Sequence, residues 1–361
     1  MTDRGAALRV LFVSKFLHGG GAERQLRLLI EGAARLGVEP AVVIFEGPDA
    51  APDFPARIFR ARRAAALDPR PFRDVRGAVR EFRPDVVYAW LPESATIPAL
   101  AAAWRAATPA VLARRNTKPV RGARGLVELI WAALTVRRVI ANSPQDGTGL
   151  LNEWLFRKTA GVVIPNGFEP TGEVAAPRDP PVEPLRVLSV GRLVRPKNVE
   201  CILRALAVCD PSRVGSLTVC GGGRRLRRLQ RLADRLGIAH RTRFLGPRDD
   251  VPRCMAEADV LVHASRFEGM PNVVLEAMAA GLPCVLSNIP AHRQLADGAP
   301  MFFDPDRPEA LAARLHELAT RHDTWACMSR AGPRMVAGLT VERMAVRQVE
   351  VLRAVASSRQ P

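Results

Sequence analysis

The sequence predicts an α/β protein built from two Rossmann-like domains, each a parallel sheet with helices on both faces. Three observations carry that expectation. The chain has 361 residues, beyond the roughly 250–300 at which a single hydrophobic core stops growing. Short apolar runs alternate with segments of helical periodicity, the pattern of βαβ units. That alternation is interrupted once, by a proline-rich stretch, and then starts again.

The first domain is expected over residues 1–172. It opens with a strand at 10–13 and a helix at 22–36, and continues with strands at 41–45, 85–88 and 111–112. Residues 137–142 and 160–167 close its sheet, each run ending in residues suited to turns. Residues 170–184 are too rich in proline for a helix or a central strand, and the linker is placed at 173–184. The second domain, 185–338, restarts with a strand at 185–191, a helix at 198–208 and a strand at 216–220. Further strands are expected at 242–245, 260–263, 283–286 and 301–303. Residues 340–356 read as one amphipathic helix.

Composition narrows the function classes. No window approaches the ~20 apolar residues of a membrane-spanning helix. The first residues lead straight into a strand, without the basic-then-apolar layout of a secretory signal, so cytoplasmic residence is expected. The cysteines (Cys201, Cys209, Cys220, Cys254, Cys284 and Cys327) form no C-x-x-C pair, which argues against zinc and a disulfide framework; they read as small buried hydrophobes.

A formal charge of +17 suits nucleic acid, an anionic membrane face or anionic substrates. One tyrosine and scattered aromatics offer no stacking platform, so nucleic acid is set aside. The arginine-rich stretch 57–83, interleaved with Phe59, Leu67, Phe72, Val75 and Phe82, suits either an anionic lipid surface or simple solvation.

The most informative segment is Ser265-Arg-Phe-Glu-Gly-Met-Pro-Asn-Val-Val-Leu-Glu-Ala-Met-Ala-Ala-Gly-Leu-Pro283, running from a strand end through a Gly-Pro loop into a helix. Ligands of open α/β sheets sit beyond the carboxyl ends of strands, and a helix N-terminus offers N–H groups to an anion. Glu268 before the loop and Glu276 on the helix could reach different hydroxyl-bearing parts of one ligand. Taken singly, each could equally be a solvated charge.

Together with its surroundings, this Glu-x7-Glu segment closely resembles the signature of glycosyltransferase family 4, the glycosyl transferases group 1, which have the GT-B fold of two Rossmann-like domains facing a central cleft. The resemblance extends to other motifs. Gly191-Arg-Leu-Val-Arg-Pro-Lys-Asn198 looks like the family's strand-loop in which an arginine and a lysine, here Arg192 and Lys197, hold the donor diphosphate. Such cations would stabilise charge on the leaving group without a metal. His18-Gly-Gly-Gly-Ala-Glu23 lacks the G-x-G-x-x-G spacing of a dinucleotide site and resembles the family's Gly-Gly-x-Glu loop, with backbone at Gly20 and Gly21 near donor phosphate and acceptor. His18 itself is read as a loop residue. The Phe-Leu-Gly segment places backbone at Phe244 and Leu245 against the nucleotide base.

By the same resemblance Glu268, Arg192 and Lys197 are the catalytic candidates, with Glu268 orienting sugar hydroxyls. Gly269, Met270, Pro271, Asn272 and Val273 line the donor, all but the proline offering backbone N–H groups, and Glu276 holds the ribose. Transfer would be retaining, from a nucleoside-diphosphate sugar, UDP favoured, to a hydroxyl of a lipid-linked or cell-envelope glycan. The final helix, within 339–361, would pack back toward the first domain. Peripheral attachment to an anionic inner membrane face is expected, and no metal or other cofactor.

The sequence departs from the family's pattern twice. A histidine common after the strand at 110–113 is replaced by Arg114-Arg115-Asn116, closer to members that transfer N-acetylgalactosamine or related sugars; Arg115 and Asn116 are therefore candidates on the donor or acceptor side. Gln294 stands where a glutamate is common. Asp304-Pro-Asp306 has D-x-D spacing but reads as a turn. The rival readings are a sugar-nucleotide epimerase, which would convert donor without acceptor, a phosphorylase, which would need free phosphate, and a noncatalytic nucleotide-sugar-binding subunit.

Overall fold

The computed structural model describes residues 7–17, 20–47, 54–62, 68–90, 93–115, 122–144, 149–169, 178–181 and 184–358. His18, Asn116 and most of the linker expected at 173–184 lie outside them. The chain forms two compact units, residues 1–167 with 340–361, and residues 168–339. The division thus falls at Gly167/Phe168, before the proline-rich stretch.

Unit 1 holds a parallel sheet of order β3-β2-β1-β4-β5-β6-β7. Its strands are β1 (Leu8–Ser14), β2 (Val38–Ile44), β3 (Arg57–Arg60), β4 (Val86–Ala89), β5 (Ala110–Arg114), β6 (Val136–Ala141) and β7 (Val162–Val163). The near-continuous apolar runs of β1, β2 and β4 follow from burial on both faces. Helices α1 (Gly21–Arg35), α2 (Arg70–Phe82), α3 (Glu93–Arg105), α4 (Gly122–Thr135) and α5 (Leu150–Lys158) connect the strands, as parallel pairing requires.

Of the two readings of the stretch 57–83, simple solvation of its arginines fits the structure, with residues 63–67, Leu67 among them, outside those described. The stretch contains strand β3 and helix α2, and its apolar residues belong to the core: Phe59 packs against it, and Val75 and Phe82 are buried in it. Several arginines are locally paired, Arg57 with Glu81, Arg62 with Asp74 and Arg70 with Asp68. Of the interleaved residues described, only Phe72 is exposed among the large hydrophobics.

Unit 2 repeats the design with order β10-β9-β8-β11-β12-β13. These strands are β8 (Leu185–Val190), β9 (Val214–Cys220), β10 (Thr242–Gly246), β11 (Val260–His263), β12 (Cys284–Ser287) and β13 (Met301–Phe303). Between them run α6 (Val199–Val208), α7 (Leu226–Arg235), α8 (Val251–Ala256), α9 (Asn272–Ala279) and α10 (Pro290–Arg293), followed by α11 (Pro308–Thr320) and α12 (His322–Ala337). Five cysteines are buried as expected, but Cys327 on α12 is exposed.

The last helix, α13 (Val341–Ser357), belongs to unit 1. Met344, Val349, Leu352 and Val355 complete the cluster that contains Val10, Phe12 and Leu29. Gln348 Oε1 accepts from the buried Tyr88 hydroxyl at 2.8 Å. A Cβ at Gly32 of α1 would lie 2.6 Å from Ala345 Cβ, so α13 approaches α1 more closely than a side chain would allow.

Candidate active site

In unit 2 the chain runs from β8 to β9 on one side, while β11 lies on the other. The crevice at this topological switch point, beyond the strand carboxyl ends, is where an open α/β sheet binds ligands. Each strand contributes a loop to it.

The β8 loop contains a 3-10 turn, Arg195–Lys197, ended by Asn198 in the left-handed region at φ 52°. Asn198 Nδ2 donates to Pro305 O at 2.8 Å, and Arg266 N donates to Pro196 O at 2.9 Å, so the turn is tied to its neighbours. Lys197 Nζ is thereby placed to donate to Glu268 Oε1 at 2.5 Å. These two candidates, 71 residues apart, form one half-buried ion pair.

The β8 and β9 loops interlock through backbone. Gly191 N donates to Cys220 O at 2.9 Å and Leu193 N to Gly222 O at 2.8 Å. A Cβ on Gly221 (φ +140°) would meet Gly191 O at 2.0 Å, and one on Gly223 (φ +154°) would meet Leu193 O at 2.6 Å. Glycine is required here by both conformation and space. Gly221 N also donates to Gly246 O at 2.7 Å, fastening the end of β10 beside Phe244 and Leu245, which are half-buried.

Pro271 is the N-cap of α9, so Asn272 and Val273 open the helix toward the crevice side of the sheet, and Glu276 follows one turn later, half-buried. Met270 is buried in the core, which leaves its backbone as the group it can offer a ligand. Gln294 Nε2 donates to Ala291 O at 2.8 Å and Gly269 O at 3.4 Å. A glutamate carboxylate could not donate either bond.

Two histidines that the sequence reading did not single out lie beneath the ion pair. His263 Nε2 is 3.7 Å from Glu268 Oε1, and His263 Nδ1 is 3.2 Å from His292 Nε2. His292 Nδ1 is 2.8 Å from Ser287 O. A carbonyl only accepts, so His292 carries its proton on Nδ1 and accepts at Nε2 from His263. The remaining His263 Nε2 then presents a lone pair toward Lys197 and Glu268. It has no hydrogen-bond partner. Burial, then the Lys197 charge and His292, hold His263 well below the usual histidine range. Burial likewise brings His292 down to about 4. Both are neutral near pH 7. The β11 and α10 positions of this pair are 29 residues apart, a contact no local pattern announces. The glycines 221–223 had a signal, a Gly-Gly-Gly run directly after a strand.

Arg192 is exposed on the β8 loop. The D-x-D segment is a turn: Asp306 N donates to Asp304 Oδ1 at 2.9 Å, and Asp306 pairs with Arg266. In unit 1, Gly20 is the extended N-cap of α1 and Gly21 its first residue. Arg115 follows β5 with its guanidinium 4.1 Å from the Trp90 ring centroid.

Comparison with known proteins identifies the family and the fold. Residues 19–171 match the family model described as Glycosyltransferase Family 4, and residues 184–321 match that of Glycosyl transferases group 1. The lipopolysaccharide core biosynthesis glycosyltransferase LpsE of Rhizobium meliloti is 30% identical over 280 residues, 74% of this chain and 75% of that protein. Among solved structures, Anabaena HepE in complex with UDP and glucose superposes with a TM-score of 0.79 at 22% identity, over 96% of this chain and all of that one. WaaG, a glycosyltransferase of lipopolysaccharide biosynthesis, gives 0.75 at 15% identity over 96% of this chain and 99% of that one. With a curated relative matched over three quarters of its length and the family models over both units, the chain belongs to glycosyltransferase family 4 and is a glycosyltransferase of the GT-B fold.

Proposed function

We propose that the protein transfers a sugar from a UDP-sugar to a hydroxyl of a lipid-linked or cell-envelope glycan, with retention at the anomeric carbon. The observation that carries the reading is the Lys197–Glu268 pair at the switch point, beside the N-terminus of α9. Crystal structures of HepE with UDP and with UDP-glucose support the donor class, and the name of LpsE supports the acceptor class.

In this reading Lys197 and Arg192 neutralise the diphosphate, with the N–H groups of Gly269, Met270, Asn272 and Val273 adding donors. Glu268, steadied by Lys197, accepts from sugar hydroxyls; Glu276 accepts from the ribose. The bond from the anomeric carbon to the phosphate oxygen breaks, and the acceptor oxygen attacks from the same face. Its proton passes to the departing phosphate oxygen, and no metal is invoked.

The test is a thermal-shift screen with UDP, GDP, ADP and their sugars on wild type, Lys197→Ala and Glu276→Ala. A ligand at a hundred times its dissociation constant stabilises by about 2.7 kcal/mol, so the expected result is a UDP-selective rise lost in both variants. No rise with any nucleotide would sink the reading.

Contact with an anionic membrane belongs to the same reading, but its surface moves to α4. Leu126, Val127, Ile130 and Leu134 are exposed along one side of that helix, as are Trp104 at the end of α3 and Leu150, Leu151 and Trp154 on α5. Trp104 stacks edge-on against Trp131 at 6.0 Å. Lys158 donates to Ala133 O at 2.9 Å and lies over the Trp154 ring, joining α5 to the same face. Arg105, Arg137, Arg157 and Lys158 are exposed around it. An apolar helix face with aromatic and cationic edges suits a headgroup interface.

A further inference from the structure

We propose that Arg115 forms the base of a second anion site, in unit 1, built to hold a phosphate or carboxylate group of the acceptor. The attribution to an acceptor rests on the glycosyltransferase reading; the anion site itself does not.

Arg115 stands immediately after β5, and Trp90 immediately after β4. The sheet of unit 1 has its switch point between β1 and β4, so both residues lie at the carboxyl ends beside the crevice where such sheets bind ligands. Arg115 as a residue is only 7% exposed, and its Nε, Nη1 and Nη2 are all buried without a hydrogen-bond partner. A guanidinium carries five N–H donors and no acceptor, and a buried cation in a native protein is ordinarily paired. The neighbouring arginine shows the ordinary case: Arg114 reaches Glu128 at 3.3 Å.

What surrounds Arg115 holds it without neutralising it. The Trp90 ring lies 4.1 Å away and is itself fixed by Trp90 Nε1 donating to Ala22 O, in the first turn of α1, at 3.2 Å. The Tyr88 hydroxyl already donates to Gln348. Burial brings the arginine down to about 10, the sign of a charge stripped of water and given no counter-ion. Removing a cation from water without a partner disfavours folding, and an apolar side chain of similar length would fit the same space at less cost. A planar fork stacked on an aromatic ring and short of an acceptor matches the bidentate geometry of phosphate or carboxylate.

The test uses the full chain with Lys197→Ala as background, which removes the donor diphosphate site, and three probes: glucose 1-phosphate, glucuronate and neutral glucose. The expected result is that one or both anions raise the melting temperature while glucose does not, the larger shift naming phosphate or carboxylate. Adding Arg115→Met should weaken anion binding at least tenfold and raise the melting temperature of the unliganded protein; Arg115→Lys should recover part of the affinity. In the otherwise native chain, Arg115→Met should leave UDP binding unchanged. Three outcomes overturn the proposal: no shift with either anion, an Arg115→Met protein that melts lower and still binds the anions, or UDP affinity falling in parallel with anion affinity. The last would give the arginine to the donor diphosphate. If Arg115→Met does not fold, Arg115→Lys decides: anion affinity equal to that of the native arginine rejects the fork geometry. Absence of a UDP shift in the native chain is a separate result and bears on the glycosyltransferase reading alone.

Discussion

At the scale of single residues, the site depends on side chains that are neutral or paired only while the fold holds them so. Lys197 donates to Glu268, and the donor diphosphate would compete for the same ammonium. Glu268→Gln is therefore expected to lower kcat about 10²–10³-fold, the usual effect of losing one preorganised polar contact, with UDP affinity retained; initial-rate kinetics beside UDP titration checks this. His292 makes a different prediction. Its folded value of about 4 lies below the unfolded value of about 6.5, so the unfolded chain takes up the proton first as pH falls. Its stabilising contribution is complete above about pH 6.5 and is lost as pH falls toward 4, amounting to about 3 kcal/mol. The fall in urea midpoint from pH 7 to pH 4.5 should be larger for the native protein than for His292→Gln, and an equal or smaller fall in the native protein would sink the idea. Gly221→Ala should cost about 1–3 kcal/mol, because it combines a positive φ with a Cβ overlapping Gly191 O.

At the scale of elements, hydrophobic pattern reports burial but not which face is buried. Strands such as β1 and β11 were legible because burial on both sides leaves short uninterrupted apolar runs. The turn from Glu268 into α9 was legible from its Gly-Pro loop after a strand, whereas Lys197 was singled out only through the resemblance to the family's strand-loop motif. The stretch 57–83 was not legible. Its alternation of arginine with apolar residues fits a membrane face and a core face equally, and only packing shows Val75 and Phe82 turned inward. Helix α4 hides the opposite ambiguity: it buries Leu129 and Ala132 while exposing Ile130 and Leu134. Ile130→Glu with Leu134→Glu should reduce binding to vesicles containing anionic lipid at low salt by tenfold or more, leaving the melting temperature within a few degrees. Sedimentation with vesicles reads this directly, and undiminished binding rules the α4 face out.

At the scale of the whole chain, the two units are not consecutive in sequence. Unit 1 is closed by α13, which follows the last residue of unit 2. Burial of Met344, Val349, Leu352 and Val355 contributes roughly 1.5–3 kcal/mol for each large side chain, comparable in sum to the whole stability of a domain. Removing residues 340–361 should therefore unfold unit 1 while leaving residues 168–339 folded, a result visible as a protected fragment of about that span in limited proteolysis. Equal protection of both units would contradict it. The histidine pair was illegible for a related reason: it depends on long-range contacts that no window of sequence contains.

Unit 2 also begins and ends at one point, with Phe168 N donating to Leu339 O at 2.7 Å, while Gly167 lies against Val341 in unit 1. In topological terms it is an insertion within another domain. During vectorial synthesis the inserted unit has all its own residues first, while the domain that started earlier waits with an open apolar groove on β1, β4 and α1 until the final helix emerges. The part of the protein translated first is thus the part completed last, and that interval is when a chaperone would have the most to hold.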